Sequence, residues 1–359
     1  MPMKILQTLP SLRRGDAVGN DAMAINRALL KMGYDAELYA LDIQASCQRE
    51  ARPYQKMKLR KEDILLYHNA AGSKLTDDFA EAPCRKIMIY HNITPPQFFR
   101  GYSIHGETMT KEGLEQTRRI ADKVEYCLAV SEFNKQDLRR MGYTCPIDVR
   151  PILIPFSDYE QEPSKKILKR YEGDGYTNIL FVGRIAPNKK YEDLIRAFYY
   201  YKRINPKSRL ILVGNPLGFE RYDESLKQYA KELGLDDIIF TGGVPFQEIL
   251  AYYHLADAFL CMSEHEGFCV PLVEAMFFHV PIFAYDSTAI PSTLGGSGVL
   301  LEEKNPIFVA KVMQRVLEDK RLKEQVVKGQ QERLRDFSYE RIYAQLEKCM
   351  HRFIQGEIK

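Results

Sequence analysis

Two short apolar runs, Ala258-Phe-Leu-Cys-Met262 and Val280-Pro-Ile-Phe-Ala-Tyr285, bracket the stretch Glu266-Gly-Phe-Cys-Val-Pro-Leu-Val-Glu274. Both runs read as buried strands, and the segment between them as a turn followed by a helix. This is a βαβ unit, which commits its strands to lie parallel in one sheet. Pro271 marks the helix start, because proline has no N–H to lose in the first turn. Glu266 and Glu274 therefore stand on the loop and in the first helical turns.

That placement carries chemistry. The backbone N–H groups of Gly267, Phe268 and Cys269 lie at the helix's positive end, which suits a phosphate or another anion. Each carboxylate accepts two hydroxyl hydrogen bonds, as the vicinal diols of a sugar and a ribose would supply. The plainer alternative is a pair of acids that only complement the helix dipole. Upstream, Asn178-Ile-Leu-Phe-Val182 reads as another strand, followed by Gly183-Arg184 and then Lys189-Lys190. Arg184 and Lys189 thus share a loop at a strand's carboxyl end, the edge at which open α/β sheets bind ligands. A guanidinium and an ammonium together neutralise a diphosphate, although two cations on a loop are also ordinary solvated surface.

Strands and amphipathic helices alternate along the whole chain, so the expected class is α/β with parallel sheets. In the first half the pattern predicts strands at 4–8, 35–40, 64–67, 86–90, 126–130 and 148–152. It predicts a helix over 21–32, with Ala24, Ile25, Ala28 and Leu29 on the apolar stripe. The Pro-rich stretch near 151–164 reads as an interdomain crossing. Gly15-Asp-Ala-Val-Gly19-Asn-Asp21 connects the first strand to the first helix. Its glycines let backbone approach a phosphate or sugar closely, and Asn20 or Asp21 is the expected cap. It is not G-x-G-x-x-G, so a dinucleotide reading is weak. His91, in Tyr90-His-Asn-Ile-Thr-Pro-Pro96, follows a strand and precedes a rigid Pro-Pro break. His68 echoes it after the previous strand, where it could line an acceptor side, and Ser131 reads as a helix cap. His265, between two glutamates, reads as an exposed neighbour.

Taken together, these segments resemble the family-4 retaining glycosyltransferases of the GT-B fold. The shared residues are Gly183-Arg184 with Lys189, and Glu266 with Glu274 inside Ser-Glu-His-Glu-Gly-Phe-Cys-Val-Pro-Leu-Val-Glu. Leu210-Ile-Leu-Val-Gly214, the turn Ile290-Pro291 to Gly298, and Phe337-Ser338-Tyr339 extend the likeness. The resemblance implies two Rossmann-like domains with parallel sheets facing across a cleft. It implies an acceptor domain over 1–155, a nucleotide-sugar donor domain over 156–338, and a helix over 339–359 crossing back. Closure of the two about the crossing near Pro155 would exclude water. By resemblance, Arg184 and Lys189 grip the donor diphosphate, Glu266 holds sugar hydroxyls, and His91 lies near the donor sugar. Gly267, Phe268, Cys269 and Val270 steady the sugar and phosphate, and Glu274 accepts the ribose hydroxyls. Gly214, Asn215 and Val244 receive the base, while Asp16 and Gly19 face the donor. Lys190 departs from the pattern, since many relatives carry Gly or Asn there.

The implied reaction is front-face transfer of a hexose from a GDP- or UDP-sugar to a glycan or lipid-linked acceptor. Its setting would be cell-surface polysaccharide or lipopolysaccharide synthesis, with a slight tilt to mannosyl or rhamnosyl donors. A nucleotide-sugar epimerase and a non-catalytic sugar-nucleotide-binding subunit stand as alternatives. No cofactor is expected beyond the donor, and no Asp-x-Asp motif calls for a metal. The chain has 359 residues, enough for two domains, and a net charge of +3, which excludes a strongly basic nucleic-acid binder. Its beginning lacks a signal-peptide apolar core and no run spans a bilayer, so a cytoplasmic protein is expected. Seven scattered cysteines fit reduced thiols. The cationic stretch from Arg49 to Lys61 is either a solvated loop or a peripheral contact with an anionic membrane surface.

Overall fold

Residues 3–358 are described by a computed structural model, and they divide into two compact α/β units. The first unit takes in the chain as far as Pro96, Glu107–Phe156, and the chain from Phe337 onward; the second takes in Gln97–Gly106 and Ser157–Asp336. Residues 97–106, which the sequence reading places with the first half, thus cluster with the second. The helix Tyr339–Ile354, N-capped by Ser338 through the Arg341 N–H, belongs to the first unit.

Seven parallel strands build the first unit: β1 (Lys4–Leu12), β2 (Asp35–Ile43), β3 (Arg52–Pro53), β4 (Ile64–Asn69), β5 (Arg85–Tyr90), β6 (Tyr126–Ala129) and β7 (Ile147–Val149). Their order across the sheet is β3-β2-β1-β4-β5-β6-β7. β4 is buried at every residue, as a central parallel strand covered on both faces requires. Six strands build the second unit: β8 (Thr177–Val182), β9 (Ser208–Val213), β10 (Ile238–Gly242), β11 (Ala258–Cys261), β12 (Ile282–Tyr285) and β13 (Val299–Leu301). They are arranged β10-β9-β8-β11-β12-β13. Both sheets reverse their strand order once, between β1 and β4 in the first and between β8 and β11 in the second. Crevices at such switch points, outside the carboxyl ends of the strands, are where doubly wound sheets take ligands.

The first helix corrects the expected cap. It runs Ala17–Lys31, and Asp16 caps it by accepting from the Gly19 N–H at 3.2 Å. Asp21 is therefore a full turn inside the helix and wholly buried. Its carboxylate accepts Arg150 Nη1 at 3.1 Å, Arg150 Nη2 at 2.5 Å and the Leu153 N–H at 2.8 Å. Burial pushes the Asp21 carboxyl up, but the Arg150 charge and hydrogen bonds prevail and hold it below its ordinary value. Gly19 is glycine for packing, since a Cβ there would stand 2.7 Å from the Arg13 carbonyl oxygen.

Cutting one member of such a pair strands a buried charge. Asp21→Ala is expected to cost the first unit about 3–5 kcal/mol, read as a lowered urea midpoint; an unchanged midpoint would show that Arg150 finds another partner.

Candidate functional site

At the second unit's switch point, the loop after β8 meets the loop after β11. Asn188 stitches them: its side-chain amide donates to the His265 carbonyl at 3.0 Å, and its own carbonyl accepts the Glu264 N–H at 2.9 Å. This brings Lys189 onto Glu266, with Nζ at 2.6 Å from both carboxylate oxygens. The Glu266 N–H donates to Thr288 Oγ1 at 2.9 Å, which fixes the carboxylate's base. The lysine side chain is 20% exposed and the glutamate 7%. Burial works to lower the Lys189 pKa, but the Glu266 charge and hydrogen bond together with the neighbouring cysteines outweigh it, so the ammonium is held above its ordinary value.

Three non-glycine residues around this pair adopt left-handed backbone: Lys190 at φ 54°, Cys269 at φ 69° and Thr288 at φ 47°. The Lys190 value gives a physical reason why glycine or asparagine suits that position, since both enter this region readily. Lys190 instead carries its ammonium to Glu192 at 3.6 Å and Glu264 at 3.3 Å. Lys304 extends that network, 2.8 Å from both Glu264 and Asp193. His265 is buried rather than exposed, with its ring 6.0 Å from that of Phe98.

Cys269 caps the helix Val270–Phe277, whose first turn contains Pro271. Its thiol is buried and lies beside that of Cys261, and this contact and burial push it well above its ordinary pKa while the Cys261 thiol is lowered. Phe268 is anchored through its carbonyl, which accepts Thr293 Oγ1 at 2.6 Å. One turn into the helix, Glu274 has a partner on each oxygen. Tyr159 Oη donates to Oε1 at 2.8 Å and Tyr253 Oη to Oε2 at 2.6 Å. Burial raises the Glu274 pKa, and the two phenols temper the rise. Neither tyrosine carries a sequence signal that would have named it. A carboxylate has about four acceptor positions, so two remain for further hydroxyl donors.

The other expected residues fall nearby in the same unit or in the first. Arg184 is exposed, its guanidinium 5.1 Å from the Phe219 ring centroid. Gly214 follows β9, and a Cβ on it would stand 1.9 Å from the Gly183 carbonyl oxygen, so only glycine fits. Asn215 lies against Gly243, beside Val244, and its Oδ1 accepts the Leu217 N–H at 2.9 Å. In the first unit, His91 follows β5 and is buried, with Nε2 3.0 Å from His68 Nδ1. Asp16 serves as the helix cap described above. Of the cationic stretch, Arg52 pairs with Glu37 and Arg60 with Asp63.

Glu274 is a carboxyl whose folded pKa lies above its unfolded value, so it favours folding below about pH 4.5 and opposes it as pH rises through the folded pKa. Glu274→Gln is accordingly expected to raise thermal stability at pH 7 and to lose that advantage near pH 4. A variant less stable than the parent at pH 7 would contradict this sign.

Residues 162–333 match the model of the family described as glycosyl transferases group 1. Over 225 residues the chain is 24% identical to O-antigen chain mannosyltransferase B of Escherichia coli, covering 61% of this chain and 57% of that protein. Over 216 residues it is 25% identical to the GDP-mannose-dependent alpha-(1-6)-phosphatidylinositol monomannoside mannosyltransferase of Mycobacterium tuberculosis, covering 56% and 55%. The chain thus spans little more than half the length of these curated relatives. In fold it is similar to Anabaena HepE in complex with UDP-glucose, with a TM-score of 0.77 at 18% identity over 98% of this chain and 100% of that one. Residues 162–333 are thus similar in sequence to the group 1 glycosyl transferases, and the fold of the chain is GT-B.

Proposed function

We propose that the protein transfers a hexose from a nucleotide-diphosphate sugar, GDP- or UDP-linked, to a glycan or lipid-linked acceptor, with retention of anomeric configuration. The observation that carries this reading is the Lys189–Glu266 pair at the switch point, beside a helix N-terminus and one turn from Glu274. An ammonium has three N–H donors, and Glu266 takes two, which leaves one for a phosphate oxygen. Lys189 and Arg184 would stabilise the charge that gathers on the diphosphate as the anomeric C–O bond loosens. Glu266 would take sugar hydroxyls, and Gly267, Phe268, Cys269 and Val270 would present the positive helix end to the phosphate. Glu274, already preorganised by Tyr159 and Tyr253, would accept the ribose hydroxyls. Gly214, Asn215 and Val244 would flank the base.

We give Cys269, whose thiol is buried against Cys261, no nucleophile's part. The acceptor hydroxyl would attack on the leaving group's own face and pass its proton to the departing phosphate oxygen. Two cations on the diphosphate support a metal-independent route. The role in cell-surface polysaccharide synthesis follows the printed names of the relatives, which concern an O-antigen chain and a phosphatidylinositol mannoside. No helix among the described residues is long and apolar enough to cross a membrane.

Thermal stabilisation against UDP-, GDP-, ADP- and dTDP-sugars tests the donor class. A bound donor at about 100 times its dissociation constant is expected to add about 2.7 kcal/mol. No shift with any donor would contradict the nucleotide-sugar reading, and binding without slow donor hydrolysis would favour the non-catalytic one. Arg184→Ala is expected to lower kcat about 10²-fold and to change donor affinity less. The reverse split would remove Arg184 from the transition state.

A further inference from the structure

We infer that Gln7 and His68 are positioning residues that fix the tautomer of His91, so that His91 Nδ1 is a bare acceptor for a hydroxyl of the bound sugar. That the hydroxyl belongs to a sugar rests on the function proposed above; the hydrogen-bond relay itself does not.

The three residues stand on neighbouring strands on either side of the first sheet's switch point. Gln7 lies in β1, His68 in β4, and His91 directly after β5. Gln7 Nε2 donates to Asn26 Oδ1 at 3.1 Å, which turns Gln7 Oε1 toward His68 Nε2 at 3.0 Å. An amide oxygen only accepts, so His68 Nε2 carries the hydrogen. A neutral imidazole has one N–H, so His68 Nδ1 is bare and accepts. Its neighbour at 3.0 Å, His91 Nε2, must then donate. The second nitrogen, His91 Nδ1, is left as an acceptor, and it is buried without a partner among the described residues. A buried acceptor without a partner is unfavourable, and an arriving hydroxyl relieves that cost.

The relay requires both rings to be neutral. Burial drives both below the ordinary histidine range, His91 to about 4 and His68 well down. The charged groups that face them are Asp21 and Arg150. Asp21 Oδ2 is 3.9 Å from His91 Nε2 and pulls toward the imidazolium, but Arg150 and the Leu153 N–H already engage that carboxylate. The same engagement argues against a metal ion among Asp21, His68 and His91. A cation there would face the Arg150 guanidinium and would have to break the hydrogen bond that joins the two rings. The backbone holds the His91 ring in place. Asn92 is left-handed at φ 81°, and its amide donates to Asn134 Oδ1 at 3.1 Å, while Asn134 Nδ2 donates to the Tyr90 carbonyl at 3.1 Å.

Long-range 1H–15N spectra of the full chain with 15N-labelled histidine read the tautomers directly, with His91→Gln supplying the assignment. The expected result is a protonated Nε2 and a bare Nδ1 on His91 across pH 5.5–8. In Gln7→Leu, His91 is expected to lose its single tautomer, and kcat/KM for transfer to fall about 10-fold. Gln7→Glu keeps the acceptor, so it is expected to restore both at neutral pH. Because it adds a carboxylate beside His68, it should also move the acidic limb of the pH profile to higher pH. A protonated Nδ1 on wild-type His91 would overturn the proposal even if every Gln7 variant fails to fold. So would a Gln7→Leu enzyme with unchanged tautomer and unchanged kcat/KM. The expected spectra from a protein that transfers no sugar would keep the relay and refute the glycosyltransferase reading instead.

Discussion

The contact between Lys189 Nζ and the Glu266 carboxylate joins two loops 77 residues apart in sequence, and the second unit's site is organised around it. Without it, the ends of β8 and β11 would present a buried acid and a buried base with no common geometry. The surrounding backbone is bent to make the contact. Lys190, Cys269 and Thr288 all occupy the left-handed region, which costs L-residues about 1–2 kcal/mol each. Strain of this kind persists only where neighbours over-determine it, as the Asn188, Thr288 and Thr293 hydrogen bonds do here.

Each unit holds an ion pair near its switch point, and the two differ in how enclosed they are. Asp21 and Arg150 are fully enclosed, at 0% exposure each, and their carboxylate accepts two guanidinium hydrogens and a backbone N–H. Such a pair is closed off from solvent, and it ties the first helix to the segment after β7. Lys189 and Glu266 are partly open and keep unused hydrogen-bonding capacity. In the first unit that capacity belongs to the neighbouring histidines, which share the Asp21–Arg150 environment without being consumed by it.

Much of this was legible in the sequence because it rests on local signals. The alternation of apolar runs and amphipathic stretches gave the parallel α/β class, and Pro271 fell in the first turn of its helix. Spacing also placed Arg184 and Lys189 on one loop and Glu266 on another. What spacing lacked was the third dimension. The partners of Glu274 are Tyr159 and Tyr253, 115 and 21 residues away, and neither belongs to a motif. The cap fell on Asp16 rather than Asn20 or Asp21, because the buried demand of Arg150 draws Asp21 into the helix. His68, read as lining an acceptor side, is instead buried between Gln7 and His91. Likewise His265, flanked by charge, is buried, with the Phe98 ring near it, which sequence proximity does not reveal. For Gly214, read as lying beside a base, the structure adds a packing reason, since a Cβ there would meet the carbonyl of Gly183.

The central claim is that Lys189, held on Glu266, receives the phosphates of a nucleotide. Calorimetric titration of a nucleoside diphosphate and its parent nucleoside, into the wild-type chain and into Lys189→Met, measures this most directly. The account predicts that the wild type binds the diphosphate more tightly than the nucleoside by at least about 1.4 kcal/mol, a factor of ten. It predicts that Lys189→Met loses most of that margin while nucleoside affinity stays the same. A margin that survives the substitution unchanged would contradict the account and place the phosphates elsewhere.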